Sequence, residues 1–373
     1  MNILVVNNPQ LAALPPARNL VESLLRLGHQ VTLITKDDSK KTIEQQENLK
    51  IIIIEELDKK NPINAILSYL YRCFKLKRLV EREMQYNDIL WTTTDKSIRD
   101  LRGTVLKYKH VMQLAELIED IPVIPGQNLF YVNAAKYARN AFRVVVPEYN
   151  RAHIQKVWWN LKDTPKVLPN RMSIPKFEDY IPYDVQKVRD ELSKERKKII
   201  LYQGIFGLDR ELEVYAKAIE TMQDEYAFYI MGRNAKGYQI ETLIKKYPFI
   251  KIIDHINAPY HLAITQMAYI GLLPYKANKV SYLSILNAVF CAPNKIYEYS
   301  AYGIPMIGTE VPGLTIPFEI YKCGCTVSGN SEQEVIDSIK FISNNYETMS
   351  NNCEYLYKNC DFDRIVKEIL GES

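Results

Sequence analysis

Residues 293–308 read Pro293-Asn294-Lys295-Ile296-Tyr297-Glu298-Tyr299-Ser300-Ala301-Tyr302-Gly303-Ile304-Pro305-Met306-Ile307-Gly308. Proline suits the first turn of a helix, no breaker follows until Gly303, and a strand pattern begins directly after it. The free N–H groups and positive dipole end of such a helix can receive a phosphate. Glu298, one turn further on, can accept hydrogen bonds from ribose hydroxyls. Spacing alone equally allows Lys295 and Glu298 to be an exposed helical pair.

Elements that would position such a helix run along the whole chain. Ile3–Asn7, Gln30–Thr35, Ile51–Glu55, Asp88–Thr92 and His110–Leu114 read as strands. Ala17–Leu27 has its apolar residues at helical spacing, and Gly28 stands where that helix should stop. A second alternation follows, with strands at Ile199–Gln203, Ala227–Met231, Ile250–Ile253, Tyr269–Leu273 and Pro305–Gly308, and helices at Leu212–Met222 and Ile240–Lys246. Between the two series, Leu161–Asp190 is rich in proline and charge and reads as a linker. Strands separated by helices imply parallel pairing, and such sheets bind ligands beyond the carboxyl ends of their strands. The expected fold class is α/β, two doubly wound Rossmann-like domains facing across a cleft. The expected domains are 1–168, 169–355 and a C-terminal helix in 356–373, with Asp361–Leu370 amphipathic and packing back on the N-terminal domain.

Composition narrows the function classes. The chain has 373 residues, 47% hydrophobic and 25% charged, which fits a folded globular protein of two or three domains. The longest apolar runs are strand-sized, so a spanning helix is not expected. Met1–Val6 enters a strand pattern without a basic segment or cleavage site, and the expected location is the cytosol. Six cysteines lack a Cys-x-x-Cys pair, so neither a disulfide scaffold nor a zinc site is expected, and Cys323-Gly-Cys325 reads as small apolar residues around a turn. The net charge of +4 is too small for a nucleic-acid partner. Residues 1–165 nonetheless hold 24 Lys+Arg against 18 Asp+Glu, a basic half that suits an anionic partner. Asn7-Asn8-Pro9-Gln10 has no glycine, which argues against a dinucleotide-dependent oxidoreductase.

The 293–308 string resembles the donor-binding signature of group-1, family 4-like glycosyltransferases of the GT-B fold, bacterial polysaccharide type. Further segments are similar in the same order: Leu27-Gly28-His29-Gln30-Val31, Tyr149-Asn150-Arg151, Lys166-Val167-Leu168-Pro169-Asn170, Leu201 through Arg210, Ile230-Met231-Gly232, and Ala268 through Tyr275. The resemblance implies that Gly204 and Gly207 let the backbone approach a donor diphosphate and that Arg210 neutralises the pyrophosphate as it leaves. It also implies that Gly232, Asn294 and Lys295 lie near the diphosphate or sugar, that Glu298 binds the ribose, and that Asp254-His255-Ile256-Asn257 holds the base through its backbone, with Ile256 as contact. No metal or cofactor is implied. The donor is a nucleoside diphosphate sugar, UDP or GDP.

One departure stands out: many retaining relatives carry an additional glutamate ahead of the ribose ligand, and the corresponding position here is Phe290. Stereochemistry therefore stays open. An inverting transfer needs a general base, and Glu116, in Gln113-Leu114-Ala115-Glu116-Leu117, is the candidate, with Ala115 where relatives often have histidine. Glu116 reads equally as an exposed acid in the first turn of a helix. Asp95 reads as a helix cap and His110 as structural. Residues 67–82 mix Leu70, Tyr71, Phe74 and Leu79 with Arg72, Lys75, Lys77, Arg78 and Arg82, a pattern that suits either a sheet-covering helix or a peripheral contact with an anionic membrane.

The expected activity is transfer of a sugar to a hydroxyl of a glycan or lipid-linked acceptor in surface polysaccharide synthesis. The alternatives are a nucleotide-sugar epimerase or hydrolase of the same fold, or a degenerate nucleotide- or partner-binding protein.

Overall fold

The computed structural model describes residues 1–373 apart from 10, 12–13, 37–42, 44–45, 55–61, 125–129, 176, 178–180, 279–282 and 373, and for 62–65 the backbone alone. Glu55 and parts of the expected linker thus lie outside the described residues. The chain divides into two compact units, one of residues 1–169, 281–287 and 361–373, the other of 170–280 and 288–360.

Strands of the first unit are β1 (Asn2–Val6), β2 (Gln30–Thr35), β3 (Leu49–Ile53), β4 (Ile89–Thr92), β5 (His110–Gln113), β6 (Ile121–Pro122), β7 (Tyr131–Val132), β8 (Arg143–Val146) and β9 (Lys166–Val167). Seven of them form a sheet in the order β3-β2-β1-β4-β5-β8-β9, parallel at every pairing, while β6 and β7 form a separate antiparallel pair. β1 reads as an apolar run because it is covered on both faces. Helix Pro15–Arg26 buries Leu20, Val21, Leu24 and Leu25. It ends as the sequence predicts: Gly28 takes φ +81°, and the Gly28 and His29 amides bond back to Leu25 and Leu24, a Schellman turn that favours glycine there. Helix Phe362–Leu370 packs Phe362, Val366 and Ile369 into the same core, and Asp363 accepts from Ser23 at 2.6 Å and Arg26 at 2.7 Å.

The second unit contains β10 (Lys198–Phe206), β11 (Tyr226–Asn234), β12 (Lys251–Asp254), β13 (Ile270–Leu273), β14 (Met306–Thr309) and β15 (Gly324–Val327), ordered β12-β11-β10-β13-β14-β15 and again all parallel. In both sheets the order reverses beside the first strand, between β1 and β4 and between β10 and β13. That reversal opens a crevice at the carboxyl ends where the two flanking crossovers diverge.

Several expectations need correction. The stretch 161–190 is not a bare linker, because Lys166–Val167 pairs with β8 and helix Tyr183–Leu192 packs Val185 and Leu192 into the second unit's core. Asp95 does not cap its helix; Thr94 does, accepting from the Ser97 amide. Residues 114–120 contain no helix, so Glu116 is not a first-turn acid but part of a bend after β5. His110 agrees with its reading as structural: it lies inside the sheet, its Nε2 2.9 Å from the Thr92 hydroxyl, and burial pushes its pKa down to about 3, leaving a neutral imidazole.

Candidate functional site

The carboxyl end of β10 runs Gln203-Gly204-Ile205-Phe206 beside Met231-Gly232-Arg233-Asn234 of β11. Gly204 takes φ +135° and Gly232 φ +155°, conformations in which side chains are rare. The two are register partners, and a Cβ on Gly232 would run into the Gly204 backbone. A Cβ on Gly204 would in turn lie 2.8 Å from Lys295 Cε and 2.9 Å from its Nζ. Glycine at 204 is thus what lets an ammonium rest against this strand.

Arg210 follows in the turn beyond β10. It bridges Tyr275, just past β13, so it stands at the place where the strand order reverses. Its guanidinium lies 4.0 Å from the Tyr275 ring centroid, and Nη1 donates to an Asp209 carboxylate oxygen at 2.6 Å. Among the described residues the buried Nε has no hydrogen-bond partner.

Helix Asn294–Ser300 opens behind Pro293 and supplies Lys295 and Glu298. Lys295 is half-buried. Desolvation and then the charge of Arg210 lower its pKa to about 8, against the pull of Glu298. Glu298 is 5% exposed. Burial alone would raise its carboxyl, but His261, Lys295 and the Gln203 amide outweigh that and hold it below the ordinary carboxylate range. Gln203 Nε2 donates to Glu298 Oε2 at 2.6 Å, and His261 Nε2 is 3.5 Å from Oε1.

Of the residues singled out in the sequence, Gly204, Gly232, Arg210, Lys295 and Glu298 therefore form one constellation, with Asn294 next to Lys295 on the same helix. Gly207 belongs to the turn before Arg210, where a Cβ would meet Asp209 Oδ1 at 2.9 Å. Ile256 follows β12 and packs against the unit's core. His255 is exposed. Glu116 belongs to the first unit, in a segment held by the Arg151 guanidinium, which donates to the Ala115 carbonyl at 2.9 Å, and by the Asn287 side chain, which accepts from the Leu117 amide at 2.8 Å. Among the described residues no His, Cys, Asp and Glu side chains cluster as a metal site, and all six cysteines are free.

Sequence reasoning missed Gln203, His261, Thr265 and Tyr275. A signal existed for Gln203, a polar residue ending an otherwise apolar strand. None existed for Thr265, which is buried in the short helix Leu262–Thr265.

No family model and no curated protein matches the sequence. Solved structures do. An Anabaena protein, HepE, in complex with UDP-glucose superposes with TM-score 0.68 at 12% identity, over 100% of this chain and 98% of that one. A sucrose-phosphate synthase from Thermosynechococcus elongatus gives 0.66 at 14%, over 100% and 98%. A Listeria monocytogenes protein described as a UDP-N-acetylglucosamine 2-epimerase gives 0.60 at 10%, over 99% and 94%. At these identities the likeness is one of architecture, and it agrees with the two parallel sheets and their reversals of strand order: the chain has the GT-B fold, that of a large class of glycosyltransferases.

Proposed function

We propose that this protein transfers a sugar from a nucleoside diphosphate sugar, UDP- or GDP-linked, to a hydroxyl of a glycan or lipid-linked acceptor in surface polysaccharide synthesis. The observation that carries the reading is the pairing of Arg210 and Lys295 beside the Gly204 backbone at the strand-order reversal. Two cations in a poorly solvated place attract a diphosphate and stabilise the charge that grows on it as the sugar departs. Glu298 accepts from the ribose, and Gly204, Gly207, Gly232, Asn294 and Ile256 complete the donor side. Glu116 is the proposed base on the acceptor side. In this reading Arg210 and Lys295 supply the charge neutralisation that a divalent ion supplies elsewhere, so transfer proceeds without metal.

The membrane contact belongs to the same reading. Helix Pro62–Glu83 exposes Leu67, Leu70, Tyr71 and Phe74, with Lys75, Arg78 and Arg82 exposed beyond them. Large apolar side chains left in water mark an interaction surface, and the neighbouring cations select an anionic one. No described helix is long and apolar enough to cross a membrane.

The test is a thermal-shift and calorimetric screen of UDP, GDP, dTDP and CMP with their common sugars, on wild type and Glu298→Ala, with and without vesicles of anionic phospholipid. Saturable binding of one diphosphate, weakened by the substitution, is the expected result, and no binding across the panel overturns the reading. The likeness to the Listeria protein favours one rival, a nucleotide-sugar epimerase. NMR of the bound donor sugar separates the two: an epimerase inverts a sugar carbon without acceptor, whereas a transferase leaves the sugar configuration intact until an acceptor is added.

A further inference from the structure

Behind Glu298 lies a second layer of hydrogen bonds. Gln203, whose amide nitrogen meets Oε2 of the carboxylate, has its own Oε1 accepting from the Thr265 hydroxyl at 2.6 Å. That hydroxyl also lies 3.1 Å from the His261 carbonyl, at the entry to the turn of helix that carries Thr265. Gln203 is 2% exposed and Thr265 0%, so water does not compete for these bonds. A glutamine amide can rotate to present either its NH2 or its carbonyl. Here rotation would set carbonyl against carboxylate, two acceptors at contact distance in a desolvated place, with no donor between them. The Thr265 hydroxyl, donating to Oε1, holds the amide in the other orientation.

We propose that Gln203 and Thr265 are positioning residues for ribose recognition: the chain Thr265–Gln203–Glu298 fixes the carboxylate in advance and aims its remaining lone pairs at the ribose diol of a nucleoside diphosphate. This rests on the reading of Glu298 as the ribose ligand. A carboxylate can accept about four hydrogen bonds, so the bond from Gln203 at Oε2 and the approach of His261 to Oε1 leave capacity on both oxygens. A side chain already ordered spares the ligand the entropy of ordering it. The carboxylate is the anchoring group; the two residues behind it set its direction.

Thr265→Val removes the hydroxyl while keeping the side-chain shape, and Thr265→Ser keeps the hydroxyl. Calorimetric titration with UDP, GDP and their 2′,3′-dideoxy counterparts reads the effect, with melting temperature followed in parallel. Thr265→Val is expected to weaken the preferred ribonucleotide about fivefold, the loss of roughly one buried hydrogen bond, to leave the dideoxy compound unchanged, and to be rescued by Thr265→Ser. Gln203→Met, of matching length, gives an independent reading and is expected to lose about tenfold, again for the ribonucleotide only. Equal weakening of both nucleotides, no weakening, or failure of the serine variant to rescue overturns the proposal. Wild-type protein that binds no diphosphate overturns the nucleotide reading and this inference together; wild-type protein that binds, with discrimination unchanged in the variants, overturns the inference alone.

Discussion

The two units share a topology and differ in what they do with charge at the same place in it. Where the strand order of the first sheet reverses, polar side chains are tied to one another and to backbone carbonyls. The Thr93 hydroxyl donates to Asn7 Oδ1 at 2.7 Å, the Asn7 amide donates to the Pro9 carbonyl at 2.9 Å, and the Ser97 hydroxyl reaches the Val6 carbonyl. Asp100, its side chain wholly buried, takes Arg99 Nε at 2.9 Å and Arg72 Nη2 at 3.1 Å, and the Asn8 amide as well. Where the second sheet reverses, two cations stand close enough that one depresses the other's pKa. A crossover of this kind supplies a crevice in both cases. Among the described residues, only in the second are an arginine and a lysine set close together beside paired glycines, and it is such side chains, rather than topology, that single out a candidate ligand site.

The contrast can be broken most severely at Asp100. Asp100→Asn leaves two guanidinium groups against a neutral amide, and breaking a buried ion pair from one side costs about 3–5 kcal/mol. Urea unfolding should register that loss, and a cost below about 1 kcal/mol would mean that the cluster is not the structural tie described. Arg210→Ala should behave oppositely. Its partner Asp209 is partly exposed, so stability should move little, while the rate of sugar release from the donor should fall about 100-fold as the proposed stabiliser of the departing diphosphate is lost. If Arg210→Ala unfolds the protein and Asp100→Asn does not, the assignment of roles is reversed.

A smaller effect comes from Lys295, whose pKa near 8 sets two slopes of opposite sign. In the proposed site the ammonium is the form that meets a diphosphate, so affinity is full well below pH 8 and should fall about tenfold between roughly pH 7 and pH 9; Lys295→Arg, which stays charged, should flatten that profile. Folding runs the other way. The folded-state value lies below the ordinary 10.5, the unfolded chain therefore holds more protons between those values, and this residue's contribution to stability rises with pH across that window. Calorimetric titration and thermal unfolding at matched pH values separate the two slopes.

Much of this was legible in the amino-acid order. Ile3–Asn7 and Tyr269–Leu273 read as strands because a parallel strand covered on both faces is apolar along nearly all its length, and Gly28 announced the end of its helix because the turn there favours glycine. Lys166–Val167 was not legible as a strand: two residues carry no period, and only pairing with β8 makes them one. β10 and β11 were read as ending at Gln203 and Met231, yet they continue together to Phe206 and Asn234, because each supplies the other's hydrogen bonds past the glycines.

The site divides along the same line. Arg210, Lys295, Glu298 and the glycines around them could be singled out because the segments that carry them resemble a donor-binding signature; spacing alone equally allowed Lys295 and Glu298 to be an exposed helical pair. The residues that hold Glu298 could not. Gln203 meets it across 95 positions of sequence and Thr265 meets Gln203 across 62, and neither residue type is unusual where it stands. Local order determined which segments fold as strands and helices and which residues at their ends carry charge, since backbone preference and apolar period act over a few residues. Which polar groups meet, as around Asp100 and around Arg210 and Lys295, was decided by the tertiary structure alone, because hydrogen bonds and desolvation depend on distance in space.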